Sequence, residues 1–467
     1  MDFYALTILG IFLAIQLGIA IYAGRKVKSE VDYLIGGRSL GVVLGSFTLF
    51  ATWFGAETVM ASSGAIAAEG LSGGRAEPFG YALCLLAFAF FIAYRMRAAN
   101  YITTSDFYRQ RFGVAAEKVS VLLMIPTSLI WSAAQIVAFA HVLAAITGLD
   151  FDTALLAGTA AVITFTMIGG YTGDVITDFV MGLMVILGLM TTAFYITLHL
   201  GGWEAATALI TPERLNIVSP NTPLMMQMDE WVIAIVGSLV AQEAISRFLG
   251  ARSPEVARRS CFYAAGLYFC VGLIPVYIGL VGAGLMPATE NTDAFLPTLA
   301  KNVLPEFFYI FFLAALVSAI LSTINSTILS VGALSGHNIV APLAGKYIAT
   351  DRARVMLERG MVMLAGVATY LFATAGEDIY SLIEASSSFG SAGLIVCLLF
   401  GLWSRIGGPR AALATMITGV ATSYLFQYHF EWQVGFVASL AASLAVYLLV
   451  SFFDSRSNVM GMNYARG

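Results

Sequence analysis

Apolar residues run along this chain in blocks of roughly twenty, each bounded by short polar or charged clusters. About 20 such residues carry a helix across the hydrocarbon core of a bilayer. Thirteen stretches qualify: 3–23, 41–67, 78–97, 119–147, 153–172, 175–200, 230–249, 260–285, 305–340, 357–375, 380–404, 410–427 and 433–453. The ninth exceeds a simple crossing, so it is expected to tilt or to project into the cytoplasm. Basic residues concentrate in cytoplasmic loops, which tests the count. With the N-terminus outside, only Arg75, Arg214 and Lys301 fall outside, and the other 21 of the 24 basic residues fall inside. A missed or invented crossing would scramble this alternation. The pattern therefore predicts an all-α integral membrane protein of thirteen helices, N-terminus outside and C-terminus inside. The first stretch reads as a membrane helix and not as a cleaved leader, because Arg25, Lys26 and Lys28 follow it.

Two crossings are not plain lipid-facing helices. The second contains Thr48, Thr52, Gly55, Glu57, Thr58, Ser62, Ser63 and Gly64. The seventh places Gly237 and Ser238 mid-span, followed by Gln242, Glu243 and Arg247. Non-helical backbone at membrane depth is tolerated only where it faces protein or a cavity. Interrupted crossings at matching positions of two halves mark the binding sites of transporters. Their spacing of five crossings predicts two inverted five-helix repeats. The expected organisation is one transmembrane domain, 1–453, divided into a first helix and loop (1–40), repeat one (41–200), repeat two (230–404) and two extra helices (405–453). A short cytoplasmic tail, 454–467, follows.

Composition agrees with this picture. Of 467 residues, 59% are hydrophobic and 11% charged, against about 25% charged in soluble domains. The net charge of −4 and the lack of a basic block exclude a nucleic-acid partner. Cys84, Cys261, Cys270 and Cys397 lie in apolar runs without a CxxC pair and read as small fillers. The four histidines are scattered, so neither a metal centre nor an enzyme's convergent nucleophile and base is indicated. No pore-ring pattern suggests a channel, and a sensor would need a separate signalling partner. The partners expected are the lipid bilayer and a small organic solute, and a monomer is compatible with these features.

The ninth crossing carries Ser318, Ser322, Thr323, Asn325, Ser326, Thr327 and Ser330. Hydroxyls beside carbonyls freed from an unwound neighbour suit a hard cation such as sodium. Equally, such hydroxyls bond back to the carbonyl four residues earlier or hold helices together.

Three local motifs resemble those of the sodium:solute symporter family: Gly36-Gly37-Arg38 after Asp32; Gly169-Gly170-Tyr171 followed by Thr177-Asp178; and Ala319-Ile320-Leu321-Ser322-Thr323. The runs GSFTLFATWFG and PFGYALCLLAFAFFIAYRMR are similar to the family's choline-transporter-like branch. The resemblance covers roughly residues 1–430. It implies a LeuT-type 5+5 inverted repeat and sodium-coupled import of a small organic solute by alternating access. It further implies one sodium ion held by the carbonyls of Ala51, Phe54 and Ala319 and the hydroxyls of Ser322 and Thr323. Asp178 matches an aspartate linked to cation coupling, although it also suits a helix N-cap. Met181 stands where the family often has Gln. Trp53, Tyr81 and Trp131 match three walls of an aromatic cage for a quaternary ammonium, a cation that ring faces attract; ordinary packing is the alternative. The fourth wall is Ala241, a departure that weighs against choline itself.

Two membrane-depth carboxylates add to this. Glu57, just past the first break, is placed to meet a cationic group of the solute. Glu243 either does the same or pairs with Arg247 one turn on. The expected solute site thus comprises Trp53, Glu57, Thr58, Tyr81, Trp131 and Gln242. A solute with a positive centre, such as choline, is the leading reading. Sodium-coupled carriage of a neutral or anionic solute is the alternative.

Overall fold

A computed structural model describes residues 3–286, 294–375, 390–430 and 432–464. Helices dominate throughout, and the described residues include only one isolated bridge, Leu40 to Ala251. The elements used below are α1 (Phe3–Gly24), α2 (Glu30–Ile35), α3 (Val42–Trp53), α4 (Ser62–Glu69), α5 (Tyr81–Ala87), α6 (Thr104–Phe112), α7 (Val114–Thr147), α8 (Phe151–His199), α9 (Leu224–Val236), α10 (Gln242–Leu249), α11 (Pro254–Gly282), α12 (Glu306–Ser335), α13 (Asp351–Ala375), α14 (Ser391–Trp403), α15 (Pro409–Ser423) and α16 (Gly435–Tyr464).

Among the described residues, seven helices are long and apolar enough to cross a membrane; an eighth crossing is the pair Leu224–Val240 and Gln242–Leu249, bent by 50°. Gly10–Gly24, Val42–Trp53 and Ser391–Trp403 are shorter apolar helices. This tally counts continuous helices among the described residues, so adjoining crossings fall together. Phe151–His199 comprises two helices that meet at a kink at Gly170, as the two apolar blocks predict, and counts once only because they are continuous in length. Glu57–Ala98 joins the second half of a broken crossing to the next one. The first ten residues of the predicted 380–404 crossing lie outside the described residues.

The kink in α8 falls at Gly170, whose φ of 54° and ψ of −157° belong to a region that only glycine enters without strain. A Cβ there would also stand 2.7 Å from the Tyr33 ring and 3.0 Å from its carbonyl oxygen. The family-like Gly169-Gly170 pair is therefore the corner at which two crossings meet.

Helix α12 is the hub, packed against α7, α8 and α13 and buried without interruption from Phe312 to Leu334. A helix that is apolar or small on every face belongs at the centre of a bundle. Helix α11 lines α3, α4 and α5, while α14, α15 and α16 pack on one another. Large apolar side chains left exposed on the long helices, among them Leu122, Phe194, Leu371, Ile417 and Leu449, suit contact with lipid chains.

Loops that the charge alternation places on one side meet one another. Arg38 donates to the Asn100 carbonyl, Arg95 to that of Leu402 and Arg111 to that of Gly407. On the other side, Arg75 pairs with Glu230 and Arg214 caps the carbonyls of Ile66 and Ala67. A further knot ties α2, α6 and the ends of α12 and α13. Glu30 pairs with His337 at 2.6 Å and Arg354 at 2.9 Å, and Asp106 lies 3.2 Å from the other ring nitrogen of His337.

Candidate functional site

The first break follows α3. Phe54 leaves the helix at φ −76° and ψ 66°, and Gly55 donates back to the Trp53 carbonyl at 2.8 Å. Backbone groups freed at membrane depth need partners. Gln135 on α7 accepts the Ala56 N–H at 3.0 Å, and the Thr58 hydroxyl donates to the Trp53 carbonyl at 3.3 Å. The second break runs through Gly237–Val240 to Ala241, which is extended at ψ 113° before α10 begins. Both interruptions lie where the polar and small residues predict them.

Beside the first break, α12 presents Ser322. Its hydroxyl lies 3.1 Å from the Ala51 carbonyl and also bonds Asp178 Oδ1. One hydroxyl proton thus faces two acceptors. Asp178 Oδ2 accepts from Thr48 on α3. Thr323 donates to the Ala319 carbonyl at 3.2 Å, and a Cβ on Gly55 would stand 2.7 Å from that Thr323 hydroxyl. The set offers two carbonyls, two hydroxyls and a carboxylate, all oxygen, as a hard cation requires. Ser318, Ser326, Thr327 and Ser330 bond back to the carbonyl four residues earlier, so for most of the ninth crossing's hydroxyls the packing role holds. Asp178 sits inside α8 and caps nothing, which removes the N-cap alternative.

Arg247, 1% exposed, organises the neighbouring layer. Its guanidinium pairs with Asp174, lies 3.7 Å from Asp178 and donates from Nε to Thr52 at 3.0 Å and from Nη2 to Ser326. This corrects the expected Glu243–Arg247 pairing: the arginine reaches across to α8. Asp174 was missed by sequence reasoning. The need of a buried guanidinium for a carboxylate was a signal, but the sequence does not say which carboxylate.

A cavity of about 50 Å³ opens between the two breaks, lined by Trp53, Tyr81, Met124, Thr127, Ser128, Trp131, Gly237, Ser238, Val240, Ala241, Gln242, Glu243, Ser391 and Leu394. Trp53 and Tyr81 meet edge-on at 5.2 Å between centroids, and Tyr81 and Trp131 are 6.4 Å apart. Of the six expected solute residues, Trp53, Tyr81, Trp131 and Gln242 line it. Glu57 and Thr58 do not. The Thr58 hydroxyl sits 2.8 Å from that of Tyr268, which also contacts both Glu77 oxygens at 2.7 Å. The Gln242 side-chain oxygen accepts the backbone N–H of Thr104 at the start of α6. Glu243, read as a structural alternative, is the carboxylate that faces the cavity.

Residues 33–419 match the sequence profile of the sodium:solute symporter family. The chain belongs to that family. Among curated relatives, a high-affinity choline transporter 1 of Torpedo marmorata is 29% identical over 78% of this chain and 65% of its own length. The human high affinity choline transporter 1 is 25% identical, covering 88% of this chain and 75% of the relative. The high-affinity proline transporter PutP of Bacillus subtilis is 26% identical over 93% of this chain and 96% of its own length. The chain thus spans just under two thirds of the Torpedo protein and nearly all of the bacterial one. Among solved structures, a Na+-coupled sialic acid symporter in a substrate-bound outward-open state superposes with a TM-score of 0.84 at 17% identity, over 97% of this chain and 98% of the other. Mhp1, a nucleobase-cation-symport-1 family transporter in a closed conformation, gives 0.63 at 13% identity, over 91% of this chain and 95% of its own. The fold is therefore the one these two solved structures have, and the chain is a multi-pass membrane protein.

Proposed function

We propose that this symporter couples inward sodium movement to uptake of a small organic solute with a positive centre. The observation that carries the reading is the contact between Ser322 and Ala51, which sets a polar helix against a broken one two residues from Trp53 of the aromatic cavity. Ala51, Phe54, Ala319, Ser322 and Thr323 bind the sodium ion, with Asp178 beside them supplying charge. Trp53, Tyr81, Trp131 and Gln242 receive the solute. Sodium at Ala51 and Phe54 draws the broken crossing against α12 and so fixes the Trp53 wall. Ten of the thirteen crossings, with the N-terminus outside, form two inverted five-helix repeats whose relative rocking exposes the site to each side in turn.

The energetics suffice. One charge falling through 100 mV releases about 2.3 kcal/mol, and a tenfold sodium gradient adds about 1.4 kcal/mol. Together they support roughly 500-fold accumulation. In proteoliposomes, replacing sodium by potassium is expected to abolish concentrative uptake. Ser322→Ala is expected to weaken sodium activation at least tenfold. Uptake that ignores either change contradicts the coupling. The similarity to proline transporters keeps a zwitterionic solute as the second reading, separated from the first by which solutes are accumulated.

A further inference from the structure

Two polar atoms on the cavity wall are buried without a hydrogen-bond partner: Glu243 Oε2 and Trp131 Nε1. Glu243 is 6% exposed and only its other oxygen is engaged, by the Trp53 indole N–H at 3.4 Å. An unsatisfied carboxylate oxygen at membrane depth is costly; Arg247 makes its ion pairs and hydrogen bonds with Asp174, Asp178, Thr52 and Ser326, its Nη1 bonds nothing, and Glu243 gains from it only attraction through space. Across this layer three carboxylates share one guanidinium. A sodium ion beside Asp178 supplies one missing positive charge and leaves the other to the occupant of the cavity.

The chemistry of the vacant partner is specific. A carboxylate oxygen flanked by Trp53, Tyr81 and Trp131 rewards a cation that both presents ring-facing positive charge and donates a hydrogen bond. A quaternary ammonium does only the first. The indole N–H of Trp131, meanwhile, asks for an acceptor oxygen. We infer that the cavity takes a small protonated amine, with at least one N–H directed to Glu243 Oε2 and an acceptor oxygen directed to Trp131 Nε1, in preference to a quaternary ammonium. The inference rests on the solute-uptake reading and narrows its substrate class.

The test uses purified full-length protein in detergent with saturating sodium, and follows thermal stabilisation by ethanolamine, N,N-dimethylethanolamine, choline and ethylamine, since a ligand of the folded form raises its melting temperature. Ethanolamine and its dimethyl form are expected to bind at least tenfold more tightly than choline, and ethylamine less tightly than ethanolamine. Glu243→Gln is expected to remove the preference over choline and lower amine affinity at least tenfold, while stabilisation by sodium alone persists. Glu243→Asp, which keeps the charge, retains the preference. Choline binding as tightly as dimethylethanolamine, unchanged amine affinity in Glu243→Gln, or no response to any amine while sodium still stabilises would each overturn the assignment. Loss of the sodium response with amine selectivity intact would instead overturn the coupling and leave Glu243 as assigned.

Discussion

Arg247 holds its guanidinium among two aspartates, a serine and a threonine drawn from three other helices. Removing one partner of a buried ion pair costs about 3–5 kcal/mol, because the remaining charge is left uncompensated. Arg247→Ala is therefore expected to lower the melting temperature of the detergent-purified protein markedly, and Arg247→Lys to restore only part of the loss, since an ammonium cannot reproduce the forked contacts. A melting curve unchanged in Arg247→Ala would contradict the role given to this layer. Residue by residue, the sequence was informative wherever chemistry is local. The polar ninth crossing and the small, polar second crossing are local signals, and the structure brings Ser322 of the one against Ala51 of the other. Glu243 was weighed against a neighbour one turn away, and that is where local reasoning failed: the i,i+4 partner turned away to Asp174, 73 positions distant.

At the scale of elements, small residues mark where helices bend or stop. Gly170 sets the corner of α8, and its alanine variant brings a Cβ to 2.7 Å from the Tyr33 ring at a φ of +54°. A destabilisation of about 2 kcal/mol is expected from backbone strain of this kind. Gly18→Ala, where no atom lies within 4 Å, serves as the control and should melt like the parent. The two broken crossings were legible because polar and charged residues are expensive in lipid and cluster there beside helix-weakening glycines. The division of α8 into two crossings was legible too, since the Gly169-Gly170 pair separates the two apolar blocks. Helix crossings whose polar groups are all satisfied by distant partners, as at Tyr268 and Glu77, leave no periodic trace.

For the whole molecule, the charged knot that ties α2, α6 and the ends of α12 and α13 makes stability depend on pH. Burial pushes the Glu30 carboxyl up, but its bonds from His337 and Arg354 outweigh this and hold it below the ordinary range; Asp106 is likewise held low against burial by His337 and the N–H groups of Ile102 and Thr103. A carboxyl depressed on folding contributes stability above its unfolded pKa, near 4, and loses it as pH falls through the lower folded value. Melting temperature is thus expected to drop below about pH 4, and to drop less in a Glu30→Gln, Asp106→Asn protein. Equal acid sensitivity in both would exclude this knot as the source. The layer around Arg247 carries a different consequence. Under the proposed sodium binding, the ion and the guanidinium would lean on the same Asp178, so the ion would compete with the arginine's longer contact to α8 and leave the Asp174 pair as the remaining tie. Loading the site and loosening this layer would then be a single event, and an empty site would keep both ties.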